Sequence, residues 1–479
     1  MNKTELYVEE ILNICEGKLL TKSKDIAITS FSKDTRTINK EDMYVAIKGE
    51  NFNGNSYVKD ALENGAIGAI VDEEIPEEVL EKYSNKPIIK VENTVNAIGK
   101  LAIYKREKYS IPVVAITGSV GKTTSKNIIT QVLETKFNVL KTEGNLNNLI
   151  GLPLTILKLK EEHTALVVEM GMNHFGEIEA LSKIAKPTIA VITNIGTSHI
   201  GNLGSKENIL KAKLEILSGL EDGGTLVINN DDEFLSKFYY EYINRKLNVG
   251  APAHRCPNKG IKVLTCGINS NSNFTAEDIH ITEDGSSFNT NINGKTYKVN
   301  IPVPGKHYIC NGLLALAIGD LLQIDEVDVV KALGIIKPEK MRMEIIKSAL
   351  GVTIVNDCYN ASYESVKAAL EYLSKISNKR KIAVLGGIGE VGDFAKEIHT
   401  KIGEEVYKNS VDVLITVGND AKNIAYEFEK RKNSNAGIHI CSTNEEAVGV
   451  LKSILKPNDM VLIKGSRMMK MEEIVDSIR

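Results

Sequence analysis

AITGSVGKTT, residues 115–124, ends an apolar run with a short turn of glycine, lysine and threonine. Gly118 and Gly121 allow backbone N–H groups to converge on phosphate oxygens at the start of a helix. Lys122 adds a positive charge, and the hydroxyl of Thr123 is suited to Mg²⁺. In the common phosphate-binding loop the first glycine stands two residues earlier, so the strict pattern is not met. The stretch predicts a buried strand, a nucleotide-phosphate loop and a helix that begins at Lys122.

The residues that follow alternate between apolar runs and helical patterns. Apolar runs at 164–171, 187–196 and 224–229 predict strands, and a helix is expected over 207–217. Such alternation indicates a parallel sheet that is covered by helices on both faces. Alternating polar and apolar residues around Asn293-Gly294 predict an added β-hairpin.

The length of 479 residues exceeds what one hydrophobic core supports and indicates two to four domains; we take three as the working number, all of them α/β. We place them at 1–108, 109–337 and 338–479, the first small and the last a Rossmann-like, doubly wound domain. Their apolar runs lie at 42–49, 66–72 and 87–93 in the first domain and at 351–357, 381–387, 411–418, 437–443 and 459–465 in the last.

The composition limits the kinds of molecule that the protein is expected to bind. A net charge of −3 provides no basic field for nucleic acid or an anionic membrane, so a small or anionic soluble ligand is expected. The six cysteines form no C-x-x-C pair and indicate reduced thiols rather than a zinc cluster. We see no leader peptide and no stretch of transmembrane length. We expect a cytoplasmic monomer without membrane insertion.

Four further side chains are candidate site residues, and each has a structural alternative. Glu169 ends an apolar strand, where a carboxylate is costly to bury alone but useful beside a metal ion. His199 could be an ordinary loop histidine, and Lys213 an ordinary solvated helix lysine. Asn311 opens an apolar helix in the sequence pattern and could act only as its cap.

Together with the phosphate loop, six later segments resemble the Mur ligases and their folylpolyglutamate synthetase relatives. In family order they are GNLNNLIGLPLT (144–155), VVEMGMN (167–173), TNIGTSHI (193–200), KAKLEI (211–216), NDCYNA (356–361) and IKGSR (463–467). The resemblance implies a UDP-substrate domain, a central ATPase domain and a C-terminal ligase domain. The first and last segments have the form of the branch that uses ATP to add D-alanyl-D-alanine to a UDP-N-acetylmuramoyl-tripeptide, through an acyl phosphate, in peptidoglycan precursor synthesis.

The same resemblance implies roles for individual residues. The implied catalytic residues are Lys122, Glu169, His199 and Lys213. The implied ATP-binding residues are Gly118, Ser119, Gly121, Lys122, Thr123, Thr124, Asn311, Arg342 and Asp357. The implied substrate-binding residues are Asp34, Thr35, Arg36, Lys48, Asn145, Asn147, Asn148, Tyr359 and Asn360. Two Mg²⁺ ions are implied, with Thr123, Glu169, His199 and Lys213 as ligands, Lys213 in the form of a carbamate. A neutral lysine amine can take up CO2 and become an anion, and Lys211 is the internal comparison.

Three stretches depart from the family pattern. Asn53-Gly54-Asn55 stands where D-G-H is usual, Asn360-Ala361-Ser362-Tyr363 replaces N-A-N-P, and Gly387 replaces an aspartate. These departures leave open a ligase that adds a single amino acid, a folylpolyglutamate-like enzyme, or a paralogue that uses another D-dipeptide or a depsipeptide.

Two stretches match sequence motifs of other classes of nucleotide-binding protein. GGIGEVG at 386–392 contains G-x-G-x-x-G after a strand, which is typical of dinucleotide-binding proteins and keeps that class as an alternative. We expect it instead to face the substrate cleft and to bind no dinucleotide. NKED at 39–42 matches a guanine-reading motif but precedes the phosphate loop, and we interpret it as a surface turn.

Overall fold

The computed structural model describes residues 4–247, 260–375, 379–432 and 436–479. A seven-stranded sheet forms the central domain, and every pairing described in it is parallel, as predicted. In spatial order its strands are Phe274–Thr275, Lys262–Gly267, Thr225–Asn229, Ile189–Ile192, Val113–Thr117, Ala165–Glu169 and Val139–Lys141. Val113–Thr117 is an interior strand, the fifth in this order, so the carboxyl ends of its two neighbours flank the loop that follows it.

Helices cover both faces of this sheet. They are Lys122–Leu133, Gly151–Ile156, Glu177–Ala185, Ile200–Leu203, Lys206–Leu214, Glu233–Leu247, Lys306–Leu321 and Glu326–Leu333, with a 3₁₀ turn at Glu215–Ser218. The helix predicted to begin at Lys122 does so. Asn311 lies in the second turn of its helix rather than at the start, so the interpretation of this residue as a cap was wrong.

The predicted hairpin is present beside the central sheet. Strands Glu277–Ile281, Ser286–Ile292 and Lys295–Ile301 form an antiparallel sheet, in which Ile292 pairs with Lys295. Asn293 and Gly294 both have positive φ, of 52° and 82°. A two-residue turn of this type matches the natural twist of the two strands.

The first domain is built on a five-stranded sheet. Its spatial order is Lys18–Leu19, Ile88–Lys90, Gly68–Val71, Asp42–Val45 and Ser30–Ser32, with Lys18–Leu19 antiparallel to its neighbour. A short ladder pairs Leu6–Tyr7 with Ala27–Ile28. The helices are Val8–Cys15, Val58–Glu63, Glu77–Lys82 and Thr94–Glu107, with a 3₁₀ turn at Gly54–Tyr57. Asn39 and Asp42 are hydrogen-bonded to each other in a turn, as expected for the NKED stretch.

The third domain has a six-stranded sheet. Its spatial order is Glu344–Lys347, Thr353–Asn356, Met460–Lys464, Lys381–Gly386, Val413–Val417 and Gly437–Cys441. The helices are Tyr363–Lys375, Ala395–Lys408, Lys422–Arg431, Asn444–Ile454 and Glu472–Ile478, with 3₁₀ turns at Gly392–Phe394 and Arg467–Met469. The sequence analysis missed Glu344–Lys347, which is antiparallel to the strand that follows it and is too short to show a clear period.

Buried contacts join the first and central domains. Arg106, near the end of the helix Thr94–Glu107, donates hydrogen bonds to the backbone oxygens of Ala185 and Lys186 at 2.9 and 3.2 Å. Its side chain is only 5% exposed, so these bonds replace water on a buried charge. No helix or strand of the described ranges crosses 108/109 or 337/338, although the domain boundaries themselves stay a prediction. In the same ranges, no helix combines the length and the apolar character needed to cross a membrane. Cys256 lies outside the described residues.

Candidate active site at the carboxyl ends of the central strands

The phosphate loop follows the interior strand Val113–Thr117 of the central sheet. Gly118 and Gly121 have φ of 152° and 83°, backbone conformations that residues other than glycine rarely adopt. A Cβ on Gly118 would stand 1.9 Å from Oγ1 of Thr193, so the loop also has no room for one. Lys122 donates to the backbone oxygen of Gly118 at 2.9 Å, which folds its ammonium back over the loop.

The neighbouring strand end holds this loop in place. Asn194 accepts a hydrogen bond from the N–H of Val120 at 2.9 Å and donates to its oxygen at 2.8 Å. Thr193 donates to the same oxygen at 2.6 Å, and the hydroxyl of Ser119 accepts from the N–H of Gly196 at 2.8 Å. The TNIG stretch therefore shapes the loop, a role that the sequence analysis did not assign to it.

Glu169 ends the strand on the other side of the loop and is 2% exposed. Its Oε1 accepts a hydrogen bond from Nδ2 of Asn147 at 2.8 Å, whereas its Oε2 is buried without a hydrogen-bond partner among the described residues. An unpaired buried carboxylate oxygen is costly, and a bound cation would remove that cost.

Two lysines, the buried Lys213 and the half-buried Lys122, are close enough for the charge of one to affect the other. Lys213 is 1% exposed, and burial followed by the charge of Lys122 lowers the pKa of its ammonium well below the usual value. Burial also lowers the pKa of Lys122, but the carboxylate of Glu169 opposes that shift. Lys213 is therefore the lysine for which the neutral amine is favoured. Lys211 is exposed on the same helix.

His199 meets the third domain. It has a positive φ of 62°, and its Nδ1 lies 2.8 Å from Oε2 of Glu390, which belongs to the GGIGEVG loop. This close contact with His199 lowers the pKa of the Glu390 carboxyl. The backbone of the same loop accepts a hydrogen bond from the N–H of Gly201 at 3.2 Å, so the loop faces the cleft, as expected.

Third-domain residues reach the phosphate loop from the opposite side. Nη2 of Arg342 donates to the hydroxyl of Thr123 at 3.2 Å, and its guanidinium lies 4.1 Å from the ring centre of Tyr359. Asp357 accepts from the ammonium of Lys464 at 2.5 Å. Lys464 also donates to the backbone oxygen of Asn360 at 3.0 Å, so one buried lysine holds this segment together.

These residues line a cleft of about 600 Å³ between the central and third domains. The residues assigned from the sequence that line it are Ser119, Gly121, Lys122, Thr123, Thr124, Asn145, Asn147, Asn148, Glu169, His199, Asn311, Arg342, Asp357, Tyr359 and Asn360. Asn311 accepts from the hydroxyl of Ser125 at 2.9 Å. The side-chain oxygen of Asn148 accepts a hydrogen bond from the N–H of Gly151, the first residue of the helix Gly151–Ile156, at 2.9 Å.

Six assigned residues are not part of the cleft lining. Gly118 and Lys213 lie behind it, and Asp34, Thr35, Arg36 and Lys48 belong to the first domain. Arg36 donates to both carboxylate oxygens of Asp34, which lowers the pKa of that carboxyl to about 2. Lys48 pairs with Glu73 at 2.8 Å, and the oxygen of Thr35 accepts from Asn64 at 3.1 Å.

Seven titratable side chains of the cleft were missed in the sequence analysis: Glu177, His307, Tyr308, Cys310, Glu364, Glu390 and Lys464. His307 lies four residues before Asn311, a spacing that puts both on one face of the helix and could have identified it. Glu390 and Lys464 lie inside motifs already quoted. No local pattern distinguishes Glu364 from any acidic residue in the first turn of a helix.

The donor set of the cleft fits magnesium. Among the described residues, His, Cys, Asp and Glu side chains do not form a group of three able to hold a metal ion. Mg²⁺, however, is usually bound by one or two carboxylates together with water and substrate phosphate oxygens. The unpaired Oε2 of Glu169 and the hydroxyl of Thr123, both in the cleft, are ligands of that kind.

Three family models match most of the chain. Residues 116–319 match the Mur ligase middle domain, residues 341–467 the Mur ligase glutamate ligase domain, and residues 27–106 the Mur ligase family catalytic domain. The matched ranges contain the phosphate loop, the cleft residues of the third domain and, in the first domain, Asp34, Thr35, Arg36 and Lys48.

Similar proteins extend over nearly the full length. The UDP-N-acetylmuramoyl-tripeptide–D-alanyl-D-alanine ligase of Bacillus subtilis is 34% identical over 473 residues, which cover 98% of each chain. A crystal structure of MurF from Acinetobacter baumannii is 28% identical, with a TM-score of 0.87 and coverage of 99% of this chain and 98% of that one. MurF from Thermotoga maritima in complex with ADP has a TM-score of 0.78 at 28% identity, covering 94% and 96%.

Proposed function

The chain belongs to the Mur ligase family, and we propose from this that it uses ATP to join D-alanyl-D-alanine to a UDP-N-acetylmuramoyl-tripeptide. The observation that carries the proposal is the single cleft in which the phosphate loop and Glu169 of one domain face Arg342 of another. The names of the full-length relatives supply the substrates, and the ADP complex of a similar structure supports the nucleotide.

The chemistry explains why a phosphate loop is needed. A carboxylate resists attack by an amine because of its charge and resonance. Transfer of the γ-phosphoryl group of ATP to the tripeptide carboxylate releases ADP and leaves an acyl phosphate. The amine of the dipeptide then attacks the acyl carbon. The bond between this carbon and the phosphate oxygen breaks, inorganic phosphate leaves, and the amine loses a proton to give the amide.

We assign the charge-stabilising part of this reaction to the central domain. Lys122 and the N–H groups at the start of its helix neutralise the phosphates during in-line transfer, a task that needs positioning more than covalent chemistry. Thr123, Glu169 and His199 would hold magnesium, which adds positive charge next to the phosphates when bound. Lys213, as a carbamate, would bring a negative charge to the same side of the site.

The remaining residues bind and enclose the substrates. Asn311, Arg342 and Asp357 are assigned to the nucleotide, and the asparagines at 145, 147 and 148 to the peptide. The Asp34–Arg36 turn and Lys48 are assigned to the UDP group. Because the cleft lies between two domains, the third domain would exclude water that otherwise hydrolyses the acyl phosphate. We propose that the enzyme acts as a monomer in the cytoplasm, where ATP is available.

Phosphate release in the presence of ATP, Mg²⁺ and UDP-N-acetylmuramoyl-tripeptide tests the function. The amines to compare are D-Ala-D-Ala, D-Ala-D-Lac, D-Ala-D-Ser, D-Ala, L-Lys, diaminopimelate and glutamate. D-Ala-D-Ala is expected to be the fastest, with no release by the Lys122→Ala variant, whose circular dichroism should match that of the unmodified protein. Faster release with a single amino acid would contradict the proposal. A preference for D-Ala-D-Lac or D-Ala-D-Ser would direct attention to Ser362, Tyr363 and Gly387.

A further inference from the structure

Glu364 connects the third domain to the central domain through both oxygens of its carboxylate. It is the second residue of the helix Tyr363–Lys375. Its Oε2 accepts hydrogen bonds from the N–H and the hydroxyl of Thr197 at 3.0 and 2.9 Å. Its Oε1 lies 3.0 Å from Nζ of Lys206. All three of these bonds cross from one domain to the other.

The central domain is shaped to receive this carboxylate. A Cβ on Gly196 would stand 2.7 Å from the carboxylate carbon and from Oε2 of Glu364. Gly196 does not have a positive φ, so its backbone conformation would accept other residues. A side chain at this position would therefore displace the Glu364 carboxylate, so the absence of one at Gly196 makes room for that carboxylate.

The segment that Glu364 holds carries two of the proposed site residues. His199 lies between Thr197 and Lys206, and Lys206 is the first residue of the helix that contains Lys213. Glu390, the other third-domain acid at this surface, contacts His199 itself. The bonds of Glu364 satisfy both of its oxygens within the protein, so the residue is suited to positioning this segment rather than to binding substrate.

We propose that Glu364 is a positioning residue that locks the third domain on to residues 196–206 and so holds His199 and the Lys213 helix in place for ligation. The inference rests on the proposed function for its kinetic part. Hydrogen bonds to a charged group are stronger than neutral ones, and these exist only while the two domains are together. Their loss should weaken the closed arrangement without disturbing the core of either domain.

Hydrogen exchange measured by mass spectrometry tests the contact without any ligase assay. Peptides covering residues 194–206 of the full chain are compared, alone and with ADP and Mg²⁺, in the unmodified protein, Glu364→Ala and Glu364→Gln. Glu364→Ala should speed exchange in these peptides severalfold. Glu364→Gln keeps an oxygen for Thr197 and should be intermediate. Equal exchange in all three proteins, in both conditions, would overturn the proposal.

The matched control is Glu397→Gln. Glu397 pairs with Lys401 on the exposed face of one helix of the same domain, so this variant loses the same charge and the same kind of ion pair without a contact between domains. It should leave the exchange of 194–206 and the rate of phosphate release unchanged. Thr197→Val, which changes only the central domain, provides a second variant in case the third domain of Glu364→Ala misfolds, and it should also speed exchange.

Kinetics separate positioning from nucleotide binding. Glu364→Ala is expected to lower kcat for phosphate release by about tenfold and to change KM for ATP less than about twofold, since the hydrogen bonds of Glu364 go to Thr197 and Lys206 and not to the phosphate loop itself. Lys206→Met should lower kcat, and the double variant should lose less than the product of the two single effects. Independent effects of the two substitutions would contradict a shared contact. Absence of phosphate release by the unmodified protein would instead refute the proposed function and leave the exchange result valid.

Discussion

At Lys213, burial favours one protonation state of the side chain, the neutral amine. An ammonium group loses hydration when it is buried, and Lys122 adds a second positive charge nearby, so both effects favour the neutral amine. A neutral amine is the form that takes up CO2. On the same helix, Lys211 is exposed and lies 3.4 Å from the side-chain oxygen of Asn208. Two lysines that look alike in the KAK stretch thus have different environments.

This difference predicts different responses to substitution. Lys213→Ala is expected to lose most of the phosphate-release activity, because the site loses the anion that a carbamate would provide. A small carboxylate such as acetate or formate at high concentration should restore part of it by occupying the vacated space. Lys211→Ala should be nearly silent in the same assay. Full activity of Lys213→Ala would show that no carbamate is needed.

His307 predicts a pH dependence of stability. Burial lowers the pKa of its imidazole to about 4; Lys464 adds to this effect and Asp357 opposes it. An unfolded histidine has a pKa of about 6.5, so between about pH 6.5 and about pH 4 the unfolded chain binds more protons than the folded one. The stabilisation is complete above that window and is lost as the pH falls through it.

Replacing His307 should therefore weaken the dependence of the free energy of unfolding on pH. Between about pH 7.5 and about pH 5, the fall in the free energy of unfolding should be smaller in His307→Asn by about 2 kcal/mol. Urea denaturation at the two pH values measures it. Some dependence should remain, because burial also lowers the pKa of His399. An identical fall in both proteins would show that His307 is hydrated in the cleft.

At the scale of elements, the loop between the strand Val113–Thr117 and the helix Lys122–Leu133 depends on a neighbouring strand end. The hydroxyl of Thr193 occupies the space that a side chain on Gly118 would need, and it donates to the loop backbone. The loop and the TNIG stretch are therefore one structural unit, although they are far apart in the sequence.

Two glycine substitutions separate this packing effect from ordinary helix propensity. Gly118→Ala should lower the free energy of unfolding by about 2 kcal/mol or more and abolish nucleotide binding, since it combines a steric clash with a strained φ. Gly449→Ala, in the helix Asn444–Ile454, meets no atom within 4 Å and should raise it by about 0.5–1 kcal/mol. Chemical denaturation measures the free energy of unfolding of each variant, and calorimetric titration measures nucleotide binding. Tight ATP binding by Gly118→Ala would refute the loop assignment.

At the scale of the whole molecule, the site exists only where domains meet. The phosphate loop comes from the central domain, and Arg342, Tyr359 and Asp357 come from the third. A ligand that contacts both domains stabilises the folded chain and also the arrangement of its parts. Glu364 and Glu390 make contacts of the same kind without a ligand, so closure has a contribution from the protein itself.

Ligand-dependent melting tests the choice of nucleotide. ATP with Mg²⁺, at about 100 times its dissociation constant, should stabilise the chain by about 2.7 kcal/mol and raise its melting temperature. NAD(H) should leave the melting temperature unchanged, because the GGIGEVG loop is already engaged with His199 and Gly201. Lys122→Ala should lose the response to ATP. A response to NAD(H) alone would favour the dinucleotide-binding alternative.

Local patterns were enough to predict the fold class, the parallel central sheet, the hairpin at Asn293-Gly294 and the helix that begins at Lys122. Such features depend on neighbours in the chain: periodicity, turn residues and the ends of apolar runs carry them. The same holds for the family, whose motifs are short and contiguous. The short antiparallel strand Glu344–Lys347 was missed because its pairing depends on the next strand and not on its own residues.

Pairings between distant residues could be found only after the chain was folded. Thr197 lies 167 residues from Glu364, and Lys206 lies 158 residues from it, so no local pattern connects them. The sequence likewise could not show that Lys213 is buried, that Asn311 lies inside its helix, or that Oε2 of Glu169 finds no hydrogen-bond partner in the described part of the chain. Burial and charge depend on which surfaces pack together, and packing brings together groups that the order of the chain keeps apart.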